Sequence, residues 1–252
     1  MGIKNLNTLI KKCPNAVYQL PLNHFKGQRI AIDANNIMII ALTPIWRKIV
    51  HKTEYPHQSP DMETFHREWI GAIKRQIERL IMSGIVPVYV FDGASPIEKQ
   101  NCRDQRHNDR DKVELEFQTL INQMSNYPEN QVPQDMLDST RKAATKLWPY
   151  TTDIFKSIVT SIGLPVIQGA NDDTLGCEGE RICVNLCLEG YCSATLSTDT
   201  DSLAHGCPIL INKFLGYMSD EDNSIYHQEM VQVIDLKKLL IDLNLSFESF
   251  QD

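Results

Sequence analysis

Three short strand-like runs, two of them mostly apolar, lie far apart in the sequence, and each is closed by an aspartate. Arg29–Asp33 reads RIAID, Val86–Asp92 reads VPVYVFD, and Ser193–Thr198 reads SATLST with Asp199 next. A run that is apolar at successive positions, rather than at alternate ones, suits a strand covered on both faces. Strands of that kind occur in sheets that are mainly parallel, where the connecting helices cover both sides. Such a sheet collects ligands outside the carboxyl ends of its strands. Three sequence-distant strands ending in Asp therefore aim three carboxylates at one crevice. A lone Asp after a strand is more often an N-cap for the next helix, so the weight rests on the three together and on Asp201, two residues beyond Asp199.

The rest of the chain fits the same frame. Leu164–Gln168 (LPVIQ) and Pro208–Asn212 (PILIN) read as two further strands. Helical spacing is expected over Asn5–Lys12, Asn35–Ile49, Met62–Ser83, residues 96–125, Ser139–Ile162, Glu178–Leu188 and Leu236–Leu243. The fold class is α/β, a central and mostly parallel sheet flanked by helices. Residues 1–252 form one domain in this reading, with 96–150 as a helical excursion rich in Lys, Arg, Asp and Glu. Within it, SNYPENQVPQD (125–135) carries two prolines and reads as a loop.

A fourth acidic contributor is Glu178-Gly-Glu180, which opens the helical run RICVNLCL. Acidic residues in a first turn are ordinary complements to the helix dipole. Positions i and i+2 diverge on a helix, so the two glutamates have different tasks. Asp33, Asp92, Glu178, Glu180, Asp199 and Asp201 in one pocket cannot all stay ionised unaided. Two unit charges about 8 Å apart repel by about 2 kcal/mol at an effective dielectric near 20. Either protons or cations must join them. An oxygen-only ligand set without His or Cys favours Mg²⁺, with Mn²⁺ as a substitute, over zinc. Two such ions roughly 4 Å apart would activate a water and stabilise the leaving oxygen of a phosphodiester.

After Asp92 the chain turns basic. Lys99, Arg103, Arg106 and Arg110 fall at spacings 0, 4, 7 and 11, on one helical face. A charge stripe is ordinarily a solvated face, but this one leaves from a strand end where a phosphate would have to be held. The net charge of −7 argues against bulk attraction to nucleic acid, not against a local basic track. Seven scattered cysteines, with no C-x-x-C pair, fit buried thiols in a reducing intracellular compartment, nucleus or cytoplasm. No apolar run is long enough to span a membrane. Lysines interrupt the apolar N-terminal positions, which excludes a signal peptide.

Five blocks together resemble the flap endonuclease family, the Rad2/XPG type of structure-specific 5′ nuclease: MGIKNLNTLI, KGQRIAIDANN, GIVPVYVFDGASPIEKQ, CEGERICVNLCLEG and STDTDSLAHGCPILINKF. The resemblance covers most of the chain except roughly 112–160. It implies a PIN-like 5′ nuclease fold with a helical arch over residues 96–150, through which a 5′ single strand passes. It implies two Mg²⁺ ions held by Asp33, Asp92, Glu178, Glu180, Asp199 and Asp201. It assigns Lys99 and Arg106 to the scissile phosphate, with Arg103 and Arg110 beside them, and places Gly2 near the active site. The implied partner is DNA with a 5′ flap or a 5′ single-stranded end.

The sequence departs from that pattern in three places. Ile39 stands where the family has an aromatic residue for base stacking, which leaves Trp46 as the nearby substitute. The loop between Pro165 and Glu178 is longer than usual. The sequence ends at Asp252, before the family's last metal-site aspartate and its helix–two-turn–helix grip on duplex DNA. The expectation for these residues alone is reduced DNA affinity and weak cleavage. Three other readings stay open: a 5′→3′ exoribonuclease, a non-catalytic protein that keeps the nuclease fold, and a phosphatase built on a strand-end Asp.

Overall fold

A computed structural model describes residues 3, 5–51, 61–93, isolated positions between 104 and 122, 149–170, 178–218 and 228–251. Its described residues hold a seven-stranded sheet. The strands are β1 (Val17–Pro21), β2 (Arg29–Asp33), β3 (Val86–Phe91), β4 (Val166–Gln168), β5 (Ala194–Leu196), β6 (Ile209–Met218) and β7 (Gln228–Asp235), in the order β1-β7-β6-β5-β2-β3-β4. Pairs β2/β3, β2/β5, β3/β4 and β5/β6 are parallel. Pairs β1/β7 and β6/β7 are antiparallel. The described helices are α1 (Leu6–Ile10), α2 (Ala34–His51), α3 (Met62–Met82), α4 (Pro149–Ser161), α5 (Gly179–Leu188), α6 (Leu236–Leu243) and α7 (Phe247–Gln251). The described positions between 104 and 122 are also helical.

The mostly parallel sheet agrees with the apolar runs, and the burial explains why. Ile30, Ala31 and Ile32 of β2, Val90 and Phe91 of β3, and Ala194 of β5 are all fully buried. Each large apolar side chain removed from water contributes about 1.5–3 kcal/mol. On one side of β2 and β3, Cys183 and Cys187 of α5 pack against Ala31, Val88 and Val90. Val184 of the same helix joins a second cluster containing Leu6 and Ile10 of α1, Leu203, Leu210 and Leu239. Packing of α1 into that cluster brings the N-terminal segment to the carboxyl end of the sheet.

Two strands were not expected. β1 is interrupted by Gln19, ends in Pro21 and sits at the sheet edge, so it lacks the apolar signature of a central strand. β7 buries Glu229, Val231 and Val233 at alternate positions, the pattern of an antiparallel strand. β6 runs on to Met218, past the expected end at Asn212, because β7 pairs with it well beyond its contact with β5. At the end of that pair, Arg79 of α3 sits 3.2 Å from the buried carboxylate of Glu229.

The chain divides into two compact units. The first gathers Met1–Ile37, Arg75–Ser95 and Lys156–Asp252 and contains all seven strands. The second gathers Met38–Lys74 and Pro96–Phe155 and is helical in its described residues. Its core includes Leu42, Trp46, Phe65 and Trp69, with the rings of Trp46 and Phe65 edge to face at 5.5 Å. Residues 96–150 belong to this unit, and most of them lie outside the described residues. No described helix is long and apolar enough to cross a membrane. The described cysteines, Cys13, Cys183, Cys187, Cys192 and Cys207, are buried and unbridged.

Candidate metal centre

β2 lies in the middle of the parallel part of the sheet, with β3 on one side and β5 on the other. The chain leaves β2 towards β3 and later returns to its other edge as β5. Neighbouring connections thus diverge at the carboxyl end of β2, which is where an open sheet leaves a crevice. Asp33 is the last residue of β2, Asp92 follows the last residue of β3, and Asp199 comes three residues after β5 ends. All three belong to the same compact unit.

Asp33 is only 8% exposed. Its Oδ1 accepts the Asn36 N–H at 3.1 Å and its Oδ2 accepts the Ser197 hydroxyl at 3.2 Å. The first of these bonds caps α2, so the structural and the pocket readings of a strand-end Asp hold together here. Asp199 also caps, accepting the Asp201 N–H at 3.2 Å. Asp201 in turn accepts the Ile3 N–H at 2.7 Å, which ties the N-terminal segment to the cluster.

The Glu-Gly-Glu element enters at the start of α5. Gly179 donates its N–H to Asp92 Oδ1 at 2.7 Å. A Cβ at Gly179 would stand 2.9 Å from that same oxygen, so only glycine permits the approach. The flanking glutamates part as the i, i+2 spacing requires. Glu180 accepts the Ser202 hydroxyl at 2.9 Å, whereas Glu178 lies 3.6 Å from Arg181.

Charge coupling links five of the six acids. Burial, opposed by the Asn36 and Ser197 bonds and reinforced by Asp92 and Asp199, pushes Asp33 up to about 6. Glu180 is pushed up to about 7 by burial and by Asp199, with Asp33 and Asp201 adding to the effect and Ser202 opposing it. Near neutral pH these carboxyls are poised between taking a proton and taking a cation. A divalent ion fits the donor chemistry: the facing groups are all oxygens, and Asn35 adds a buried amide oxygen with no hydrogen-bond partner among the described residues. No three His, Cys, Asp or Glu side chains among the described residues close on a single point. An ion held here would have to complete its shell with water or with further oxygens.

Several contributors went unnoticed at the sequence level: Asn35, Asn36, Ser197, Ser202, Gly179 and the Ile3 amide. Asn35 donates to Asp92, and Asn36 Oδ1 accepts both the N–H and the hydroxyl of Thr198 at 3.0 Å. The Asn-Asn pair one residue after IAID is the available signal, since a polar pair in a first turn has caps and neighbours to serve. One expectation is corrected. Trp46 is 8% exposed and packed against Phe65, so its faces are not offered to a base. On the same helix Ile39 and Ile40 are exposed large apolar residues. Gly2, Lys99, Arg103, Arg106 and Arg110 lie outside the described residues.

Comparison with known proteins fits this geometry. Residues 1–113 match the XPG N-terminal domain and residues 165–252 match the XPG I-region. The whole chain aligns with flap endonuclease 1 of Cryptosporidium muris (strain RN66) at 30% identity, over 50% of that protein. It aligns with flap endonuclease 1-A of Oryza sativa subsp. japonica at 27% identity, over 60% of that protein. The chain thus spans about half to three-fifths of the length of these relatives. In fold it is similar to the catalytic core of Rad2 in complex with DNA substrate, with a TM-score of 0.59 and 16% identity over 98% of this chain and 59% of that one. The flap endonuclease-1 from Methanococcus jannaschii gives a TM-score of 0.53 at 18% identity, covering 92% of this chain and 64% of that one.

Proposed function

The chain belongs to the family of XPG nucleases and flap endonucleases, and from that premise we propose that it is a divalent-metal-dependent 5′ nuclease hydrolysing phosphodiester bonds in DNA. The observation that carries the proposal is the placement of Asp33, Asp92 and Asp199 at or after the ends of neighbouring strands, at the carboxyl end of one sheet, with Gly179 bound to Asp92 and Ser202 joining Glu180 to Asp199. Carboxylates so placed repel each other and would repel DNA. Cations among them would offset both repulsions.

Asp33, Asp92, Glu178, Glu180, Asp199 and Asp201 would hold two Mg²⁺ ions, directly or through water. Bound there, the ions supply an acidified water and neutralise charge on the departing oxygen. The chain's own residues prepare the place. Ser197 and Asn36 fix the two oxygens of Asp33, and Gly179 and Asn35 fix those of Asp92. Ser202 turns Glu180, and the Ile3 N–H holds Asp201. Four of the six carboxylates are thus oriented by the chain itself, which limits reorganisation during reaction. Lys99 and Arg106 are assigned to the scissile phosphate and Arg103 and Arg110 to neighbouring ones. Residues 96–150 are assigned to the arch around a 5′ single strand.

The test is cleavage of a labelled 5′-flap DNA by the purified chain in Mg²⁺, beside Asp199→Ala and a chelator control. The proposal expects metal-dependent products from the wild type and a loss of at least a hundredfold in the variant. Cleavage that survives Asp199→Ala, or none with any DNA, would remove it. A parallel 5′-phosphorylated RNA decides between DNA and RNA as substrate.

A further inference from the structure

Asn35 stands on the first turn of α2, two residues after Asp33, and reaches Asp92, which follows the end of β3. Its side chain is engaged at one end only. Asp92 Oδ2 accepts a hydrogen bond from its N–H₂. The remaining atom, Oδ1, is buried and has no hydrogen-bond partner among the described residues. A buried acceptor without a donor is costly, and native structures rarely keep one without a use.

A cation, or a water held by one, satisfies an amide oxygen in such surroundings. Amide carbonyls are ordinary ligands for hard divalent ions, alongside carboxylates. At this centre a neutral oxygen has a particular merit. Five acids are already coupled, and an amide adds a donor without adding repulsion.

We propose that Asn35 is a positioning residue of the metal centre that works from both ends of its amide, the N–H₂ orienting Asp92 and the Oδ1 facing a bound divalent ion or its water. The inference rests on the metal-site reading above and extends it to a residue outside the acidic set. It also accounts for an amide two residues after Asp33, a position that capping does not require because Asp33 already caps α2.

The experiment is Mn²⁺ titration of the metal-free chain, followed by the loss of the free-ion electron paramagnetic resonance signal, for wild type, Asn35→Ala and Asn35→Asp at pH 8. Melting curves in EDTA accompany each titration. Asn35→Ala is expected to weaken Mn²⁺ binding by about 10–100-fold, the usual effect of removing such a supporting group. Asn35→Asp keeps an oxygen and loses the donor. It is expected to bind Mn²⁺ at least as tightly as wild type, while melting lower in EDTA because a new charge faces Asp92. Wild-type affinity in Asn35→Ala overturns the proposal, and so does an Asn35→Asp variant as weak as Asn35→Ala, which would leave only the N–H₂ with a role. A wild-type chain that binds no Mn²⁺ defeats the metal-site reading itself, a result distinct from either.

Discussion

Replacing Asp33 with Asn should make the metal-free protein more stable and the metal-loaded protein less so. Asp33 is 8% exposed and its pKa lies near 6 in the folded chain, against about 3.9 for an unfolded Asp. A carboxyl whose folded pKa is raised holds its proton more tightly in the folded state. Relative stability is therefore full below about pH 4, declines as pH rises, and is lost above about pH 6. The gap is worth about 3 kcal/mol once the group is ionised, at 1.36 kcal/mol per pH unit. Asn removes the charge and keeps an oxygen for the Asn36 N–H that caps α2. In EDTA at pH 8, Asp33→Asn should melt higher by roughly 6–12 °C, at about 2–4 °C per kcal/mol for a chain of this size. At pH 4 the two should melt within a degree or two of each other. With Mn²⁺ at pH 8 the order should reverse, because only the wild type gains binding energy from the ion. The assay is differential scanning calorimetry across that grid of pH and metal. A variant that melts below wild type at pH 8 in EDTA would refute the electrostatic reasoning.

Three other outcomes follow from the same geometry. Ser202→Ala removes the hydroxyl that opposes the upward push on Glu180. Mn²⁺ affinity, which should fall in wild type as pH drops through about 7, should then fall at a higher pH, as calorimetric titrations over pH 6–8.5 would record. Gly179→Ala places a Cβ 2.9 Å from Asp92 Oδ1, which should cost about 1–3 kcal/mol on urea unfolding and weaken Mn²⁺ binding as Asp92 moves. Asn36→Ala removes both bonds from the exposed Thr198; water replaces part of each, so a loss of only about 1 kcal/mol is expected in the same unfolding assay.

Much of the fold was legible because the central strands declare themselves. RIAID and VPVYVFD must be covered on both faces, and they are, so the parallel middle of the sheet and its strand-end acids could be read directly. β1 and β7 were hidden for a physical reason. An edge strand such as VYQLP need not be apolar throughout, and QEMVQVID alternates, which competes with helical readings in a short window. At the site, the acids were visible from their charge and their positions at strand ends. The groups that orient them were not, because a serine or asparagine is ordinary in sequence and its role depends on which loop faces it. Ser197 and Ser202 meet Asp33 and Glu180 only once β5 lies beside β2. Trp46 misled for the complementary reason. An indole on α2 carries no sequence mark of its facing, and Phe65 of α3 claims it for the core.

The most direct test is an anomalous difference map from crystals of the chain soaked in Mn²⁺. It is expected to show one or two peaks among the carboxylates of Asp33, Asp92, Glu180, Asp199 and Asp201, with Asn35 alongside. A map with strong peaks elsewhere and none in that group would contradict the claim that these acids are assembled to hold cations.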